Sequence, residues 1–171
     1  MNEETMQAGS GGLLAGESFA RLYYEQGVLG LPYKRRAVMQ LWNGQPCGPC
    51  TYYYRNGHKQ AEGEYDIVEN RVVMVGLWNF YDQRGGRLGF INHNLVGQRH
   101  GEYHSEANGV ILARGHYRNG RPTGNWLMWD ACKSETIVTQ PLKHGPAWEK
   151  VINQALSDFM LHTQTKAKGE K

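Results

Sequence analysis

Apolar and aromatic residues alternate with polar ones along most of this chain. In Leu77-Trp78-Asn79-Phe80-Tyr81, Trp78 and Phe80 fall on one face of an extended backbone and Leu77 and Asn79 on the other, because successive strand side chains point to opposite sides. Asn125-Trp126-Leu127-Met128-Trp129 repeats the pattern, with Trp126 and Met128 on one face and Leu127 and Trp129 on the other. Val72–Val75 and Val110–Leu112 are strand-like through their branched side chains. Four Asn-Gly pairs, at 43–44, 56–57, 108–109 and 119–120, punctuate these runs. Asn-Gly suits a type I′ hairpin turn, whose two central residues both need positive φ. Gln83-Arg84-Gly85-Gly86 occupies the corresponding place between two of the pairs. The pattern predicts a succession of antiparallel hairpins.

The hairpins repeat. Gly-x-aromatic recurs at Gly63-Glu64-Tyr65, Gly76-Leu77-Trp78, Gly101-Glu102-Tyr103, Gly115-His116-Tyr117 and Gly124-Asn125-Trp126. Residues 57–65 align without a gap on 109–117, sharing Gly, Ala, Gly and Tyr. With Gly48, Gly76, Gly101 and Gly124 as unit starts, the spacings are 28, 25 and 23 residues. A weaker copy begins at Gly16, so the array runs from Gly16 to Asp130. Gly48-Pro49 reads as a tight corner between units. Self-similarity at this period marks a repeat architecture, in which each unit buries its apolar surface against its neighbours.

The ends differ. Glu135–Thr139 has the makeup of a last strand, stopped by Pro141. From Pro146 a helix is expected, because Trp148, Val151, Ile152, Ala155, Leu156, Phe159 and Met160 recur at helical spacing. Such a helix would cover the open end of the array. The expected organisation is a flexible leader at 1–12, a β-hairpin repeat domain at 13–141, and a C-terminal helix with a mobile tail at 142–171. The fold class is mostly β, a single-layer meander sheet with one C-terminal helix capping its end.

Composition supports a thin sheet. Of 171 residues, 22 are glycine, 10 tyrosine and 5 tryptophan, against 6 prolines, and mean hydropathy is −0.64. Net charge is +3. That is too little to imply nucleic acid, and only Lys34-Arg35-Arg36 forms a basic run. The small net charge and the shortness of this run argue against a lipid surface as partner. No stretch reads as a signal peptide or a membrane span. Three cysteines do not make a disulfide framework, so the expected compartment is a reducing cytoplasm.

Cys47-Gly48-Pro49-Cys50 has the spelling of a redox-active dithiol, but that chemistry needs a helix N-terminus to lower the thiol pKa. Here a strand-like Thr51-Tyr52-Tyr53-Tyr54 follows. Cys47, Cys50, Cys132 and a histidine would make a zinc set only if a second short-spaced pair were present. The histidines show no nucleophile elbow and no metal-ligand spacing, and Gly9-Ser10-Gly11-Gly12 lacks the ending of a phosphate loop. No catalytic, cofactor or metal set emerges, and the chain reads as a non-enzyme.

Tyr53-Tyr54-Arg55-Asn56-Gly57, Gly76-Leu77-Trp78-Asn79-Phe80-Tyr81 and Tyr117–Trp126 together resemble the MORN-like repeat proteins. More closely they resemble the bacterial variant called the YwqK-type antitoxin family. The likeness covers about two-thirds of the chain and lapses around Leu29–Leu41. It implies a hairpin meander that works by binding proteins, often as an immunity protein blocking a toxin encoded next door; a general scaffold or adaptor is the alternative. Trp, Tyr and Arg dominate protein contact surfaces. The candidate partner-binding residues are therefore Tyr53, Tyr81 and Trp129, each five residues after its unit glycine, with Arg99, His100 and Arg121 on neighbouring turns. Rings lie on both faces, and the pattern leaves open which face binds.

Overall fold

A computed structural model describes residues 2–7, 16–24, 34–129, 135–138 and 154. They form one eleven-stranded sheet in which each strand pairs antiparallel with the next in sequence. The strands are β1 (Asn2–Gln7), β2 (Glu17–Tyr23), β3 (Arg35–Trp42), β4 (Gln45–Tyr53), β5 (Lys59–Val68), β6 (Arg71–Tyr81), β7 (Arg87–His93), β8 (Arg99–Ala107), β9 (Val110–Arg118), β10 (Arg121–Trp129) and β11 (Glu135–Val138). The β-hairpin meander is as expected. The helix expected within 142–171 lies outside the described residues, of which only Gln154 falls in that stretch.

The N-terminal boundary of the sheet differs from expectation. Asn2–Gln7, placed in a flexible leader, pairs with β2 from Asn2↔Tyr23 to Gln7↔Ser18. Backbone pairing at a sheet edge needs no apolar pattern, so polarity alone did not reveal it. Arg35–Trp42, where the repeat spacing lapses, is a regular strand alternating half-buried with buried residues.

The described turns are of two kinds. Asn43-Gly44, Asn108-Gly109 and Asn119-Gly120 have positive φ at both residues, as the type I′ hairpin requires. Glu69-Asn70 adopts the same geometry without glycine, at φ 50° and 60°. Asn56-Gly57 departs from expectation: only Gly57 has positive φ. It belongs to a five-residue turn in which Tyr54 N–H donates to His58 O at 2.8 Å and Gly57 N–H to Tyr54 O at 2.9 Å. The turns at 82–86 and 94–98 carry the same pair of hydrogen bonds.

The unit glycines turn out to be bulges. Gly48, Gly76, Gly101 and Gly124 have φ of 102°, 63°, 95° and 67°, and each sits inside an even-numbered strand where the register slips. In β3–β4, for instance, Gln40 alone lies opposite Cys47, Gly48 and Pro49. Gly48-Pro49 is thus a bulge within β4, not a corner between units. An L-residue in this left-handed region is strained, which is why glycine marks each bulge.

Cross-strand register assembles the core on one face. One ladder runs Leu22–Ala37–Tyr52–Ala61–Phe80–Gly89–Ser105–Ala113–Met128 across nine strands. A second runs Ala20–Met39–Cys50–Gly63 and, beyond the β5–β6 bulge, Trp78–Ile91–Tyr103–Gly115. At two bulges an indole lies across the glycine of the facing strand. A Cβ on Gly63 would come within 2.3 Å of Trp78, and one on Gly115 within 2.3 Å of Trp126. Tyr65 meets Trp78 edge-on at 4.9 Å, and Tyr117 meets Trp126 likewise at 5.0 Å. Gly63 and Gly115 are 52 residues apart, as are Gln40 and Asn92, which face the other two bulges. The larger repeat is therefore a pair of hairpins, one of them built on a Gly–Trp contact.

Candidate partner-binding surface

Because Trp78, Phe80 and Trp126 are all consumed by the core, the opposite face carries whatever the sheet presents. Its central row reads Arg21–Val38–Thr51–Glu62–Asn79–Phe90–His104–Arg114–Leu127 by direct pairing. Around the β5–β6 bulge this face holds a shallow hollow of about 370 Å³, whose walls include Pro49, Thr51, Glu62, Glu64, Leu77 and Asn79.

Polar contacts fix the side chains around it. Tyr81 donates its hydroxyl to Glu62 Oε1 at 2.6 Å, and Lys59 Nζ donates to Glu62 Oε2 at 2.6 Å. The hydrogen bonds from Lys59 and Tyr81 hold the Glu62 carboxyl below its ordinary range. Burial, then the Glu62 hydrogen bond, pushes the Tyr81 phenol up to about 12. Further along, Phe90 and His104 stack with centroids 5.5 Å apart. The Arg87 guanidinium sits 5.3 Å from the Phe90 centroid, and its Nε donates to Glu106 Oε1 at 3.2 Å. His104 Nε2 lies 3.3 Å from Glu106 Oε2. Half-buried rings held by charged neighbours make a surface that needs little ordering before it docks.

The residues singled out from sequence fall at two ends of the sheet. Tyr53, Tyr81 and Trp129 each close an even-numbered strand at one end. Tyr53 and Tyr81 are half-buried there, and their carbonyls accept the hydroxyls of Tyr24 and Tyr54 at 2.7 and 2.8 Å. Arg99, His100 and Arg121 open β8 and β10 at the other end. The Arg99 guanidinium lies 5.4 Å from the Tyr117 centroid, His100 Nδ1 is 3.1 Å from Asn119 Oδ1, and Arg121 is exposed. At a rise of about 3.3 Å per residue, the strand from Arg121 to Trp129 separates the groups by roughly 26 Å. Glu62, Leu77, Phe90 and His104 were missed, because only the register brings them side by side. The alternation of Phe90 with the buried Ile91 was the one available signal.

The two cysteines lie on opposite faces. Cys50 belongs to the core ladder, and burial pushes its thiol up to about 12. Cys47 faces the other way, 3.8 Å from Asp66 Oδ1, and burial followed by the Asp66 charge raises its pKa. Reactive dithiols need the reverse, a lowered pKa and a shared side. Cys132 lies outside the described residues. Among the described residues no helix is long and apolar enough to cross a membrane.

The class defined by these features is an open, single-sheet meander of bulged β-hairpins. No family model, no curated protein and no solved structure matches the chain.

Proposed function

We propose that this protein is a non-catalytic binding module, and more narrowly an immunity or antitoxin protein of the MORN-like, YwqK type. In this reading it occludes a cognate toxin in the cytoplasm. The observation that carries the reading is the division of labour between the faces: one is filled by its own aromatic and aliphatic ladders. The other holds half-buried tyrosine, phenylalanine and histidine rings in charged settings. Tyr53 and Tyr81 would supply ring contacts, with Trp129 at the same end. Arg99, His100 and Arg121 would supply charge at the far end, steering the partner and setting its register. The test is co-expression with the product of the adjacent reading frame. A stoichiometric complex and rescue of growth are expected, whereas an adjacent product that neither binds nor harms the cell defeats the reading.

A second reading, a scaffold or adaptor in an assembly or at a lipid surface, draws on a different observation. Leu95 and Val96, at the tip of the 94–98 turn, are 77% and 54% exposed. Sedimentation with anionic vesicles, lost on Leu95→Ser, would favour it.

A further inference from the structure

The basic run at Lys34–Arg36 is isolated in sequence, but the fold gives it company. The turn after β4 brings Arg55 alongside, and Arg36 and Arg55 lie 5.9 and 6.0 Å from the centroid of the Tyr24 ring. Arg35 lies 5.7 Å from the Tyr53 centroid. The cations are thus seated on ring faces, which leaves the guanidinium edges directed by packing. Lys59 is paired across from Tyr53, and its own carboxylate partner is Glu62. Beside these groups is a second hollow of about 380 Å³, lined by Tyr23, Lys34, Arg35, Tyr53, Asn56 and Gly57. Among the described residues no carboxylate lines it.

We infer that this corner is an anion site for the oligophosphate group of a small ligand, a role beyond the toxin binding proposed above, with Tyr53 common to both surfaces. Lys34 and Arg35 in the lining, with no carboxylate among the described lining residues, favour a compact, multiply charged anion. Phosphate suits it better than a carboxylate, because each phosphate carries more charge and offers more acceptor oxygens to an arginine fork. The volume is at the small end of ligand sites, which run from about 300 to 1,000 Å³. The flanking tyrosines give a flat wall against which a ring attached to the phosphates can lie. Gly57 lines the hollow with no side chain to fill it, and its turn is braced by Asn56 Nδ2 donating to Gln83 O.

The test is calorimetric titration of the full chain at low ionic strength with tripolyphosphate, pyrophosphate, ADP and citrate. Saturable one-to-one binding of tripolyphosphate is expected, weakened about tenfold or more by Lys34→Ala and by Arg35→Ala, since a charge-assisted hydrogen bond is worth that much. The double variant Arg71→Ala/Arg118→Ala removes two positive charges from the opposite end of the sheet, one more than either single variant, and is expected to bind as the parent does. Thermal midpoints of all variants should match, because the four positions are exposed. ADP binding more tightly than pyrophosphate identifies a nucleotide as the ligand class, and equal affinities identify free phosphate. Equal weakening by the two sets of variants would show diffuse attraction and overturn the site. Citrate binding as tightly as tripolyphosphate, or no saturable binding at all, would overturn it too.

Discussion

Replacing Gly63 with alanine isolates the contact on which the paired-hairpin repeat depends. Gly63 does not have positive φ, so the backbone accepts alanine, and the effect comes from the added methyl. That methyl would sit 2.3 to 2.6 Å from three atoms of the Trp78 indole, where carbon atoms prefer about 3.5–4.0 Å. The ring must therefore retreat by more than about 1 Å. It has little room, being fully buried, edge-on to Tyr65 and hydrogen-bonded through Nε1 to Glu64 O at 3.0 Å. Overpacking of this kind costs about 1–3 kcal/mol, and a broken hydrogen bond adds about 1 kcal/mol. Loss of unfolded-state freedom returns about 0.4–1 kcal/mol. The net destabilisation is about 1–3.5 kcal/mol, or a midpoint lower by roughly 2–14 °C for a chain of this size. Urea unfolding followed by tryptophan fluorescence and circular dichroism measures it. In a Trp78→Leu background the same alanine should cost under about 0.5 kcal/mol, because the clash is gone. A Gly63→Ala protein that is more stable than the parent, or equally damaged in both backgrounds, refutes the reasoning. Gly115→Ala should act through Trp126 by the same clash, without the hydrogen-bond loss, because Trp126 Nε1 has no partner among the described residues.

Other outcomes follow from the same geometry. Burial, reinforced by the Arg99 charge, lowers the His93 pKa to about 4 from an ordinary 6.5. Below pH 6.5 the unfolded chain therefore binds a proton that the folded chain refuses. Stability is full above that pH and falls as pH drops toward 4, by about 3 kcal/mol in all; His93→Gln should flatten this slope in unfolding measured between pH 7 and 4. Glu69→Asn/Asn70→Gly replaces two side-chain-bearing residues at positive φ with the pair that prefers it, and should raise stability by roughly 1 kcal/mol in denaturant unfolding. The lost Arg71–Glu69 pair is highly exposed and contributes little. Finally, Cys50 should resist alkylation at neutral pH until the sheet unfolds, read by mass spectrometry over time. A thiol there that is labelled at the rate of a free cysteine would contradict its place in the core.

The repeat was legible because its parts are local. Trp78, Phe80 and Trp126 alternate with polar neighbours, and three Asn-Gly pairs close hairpins by backbone preference alone. The errors came from residues whose meaning depends on what lies opposite. Asn56-Gly57 spells a two-residue turn, but the flanking register demands five residues. Gly48, Gly76, Gly101 and Gly124 recur as landmarks, yet nothing in one strand distinguishes a corner from a bulge; the slip appears only against the partner strand. Gly63-Glu64-Tyr65 and Gly76-Leu77-Trp78 look alike, though one glycine bends the chain and the other makes room for an indole.

Taken alone, the order of residues determined that this protein is a meander of hairpins with alternating faces, since turn chemistry and two-residue periodicity act within a few positions of the chain. Tertiary structure decided which face is spent on the core, which glycine lies beneath which tryptophan, and where the charged groups meet. Arg36 and Arg55, nineteen positions apart, meet at the one Tyr24 ring only because the strands between them fold back. Register across strands is a property of pairs, and a single strand does not carry it.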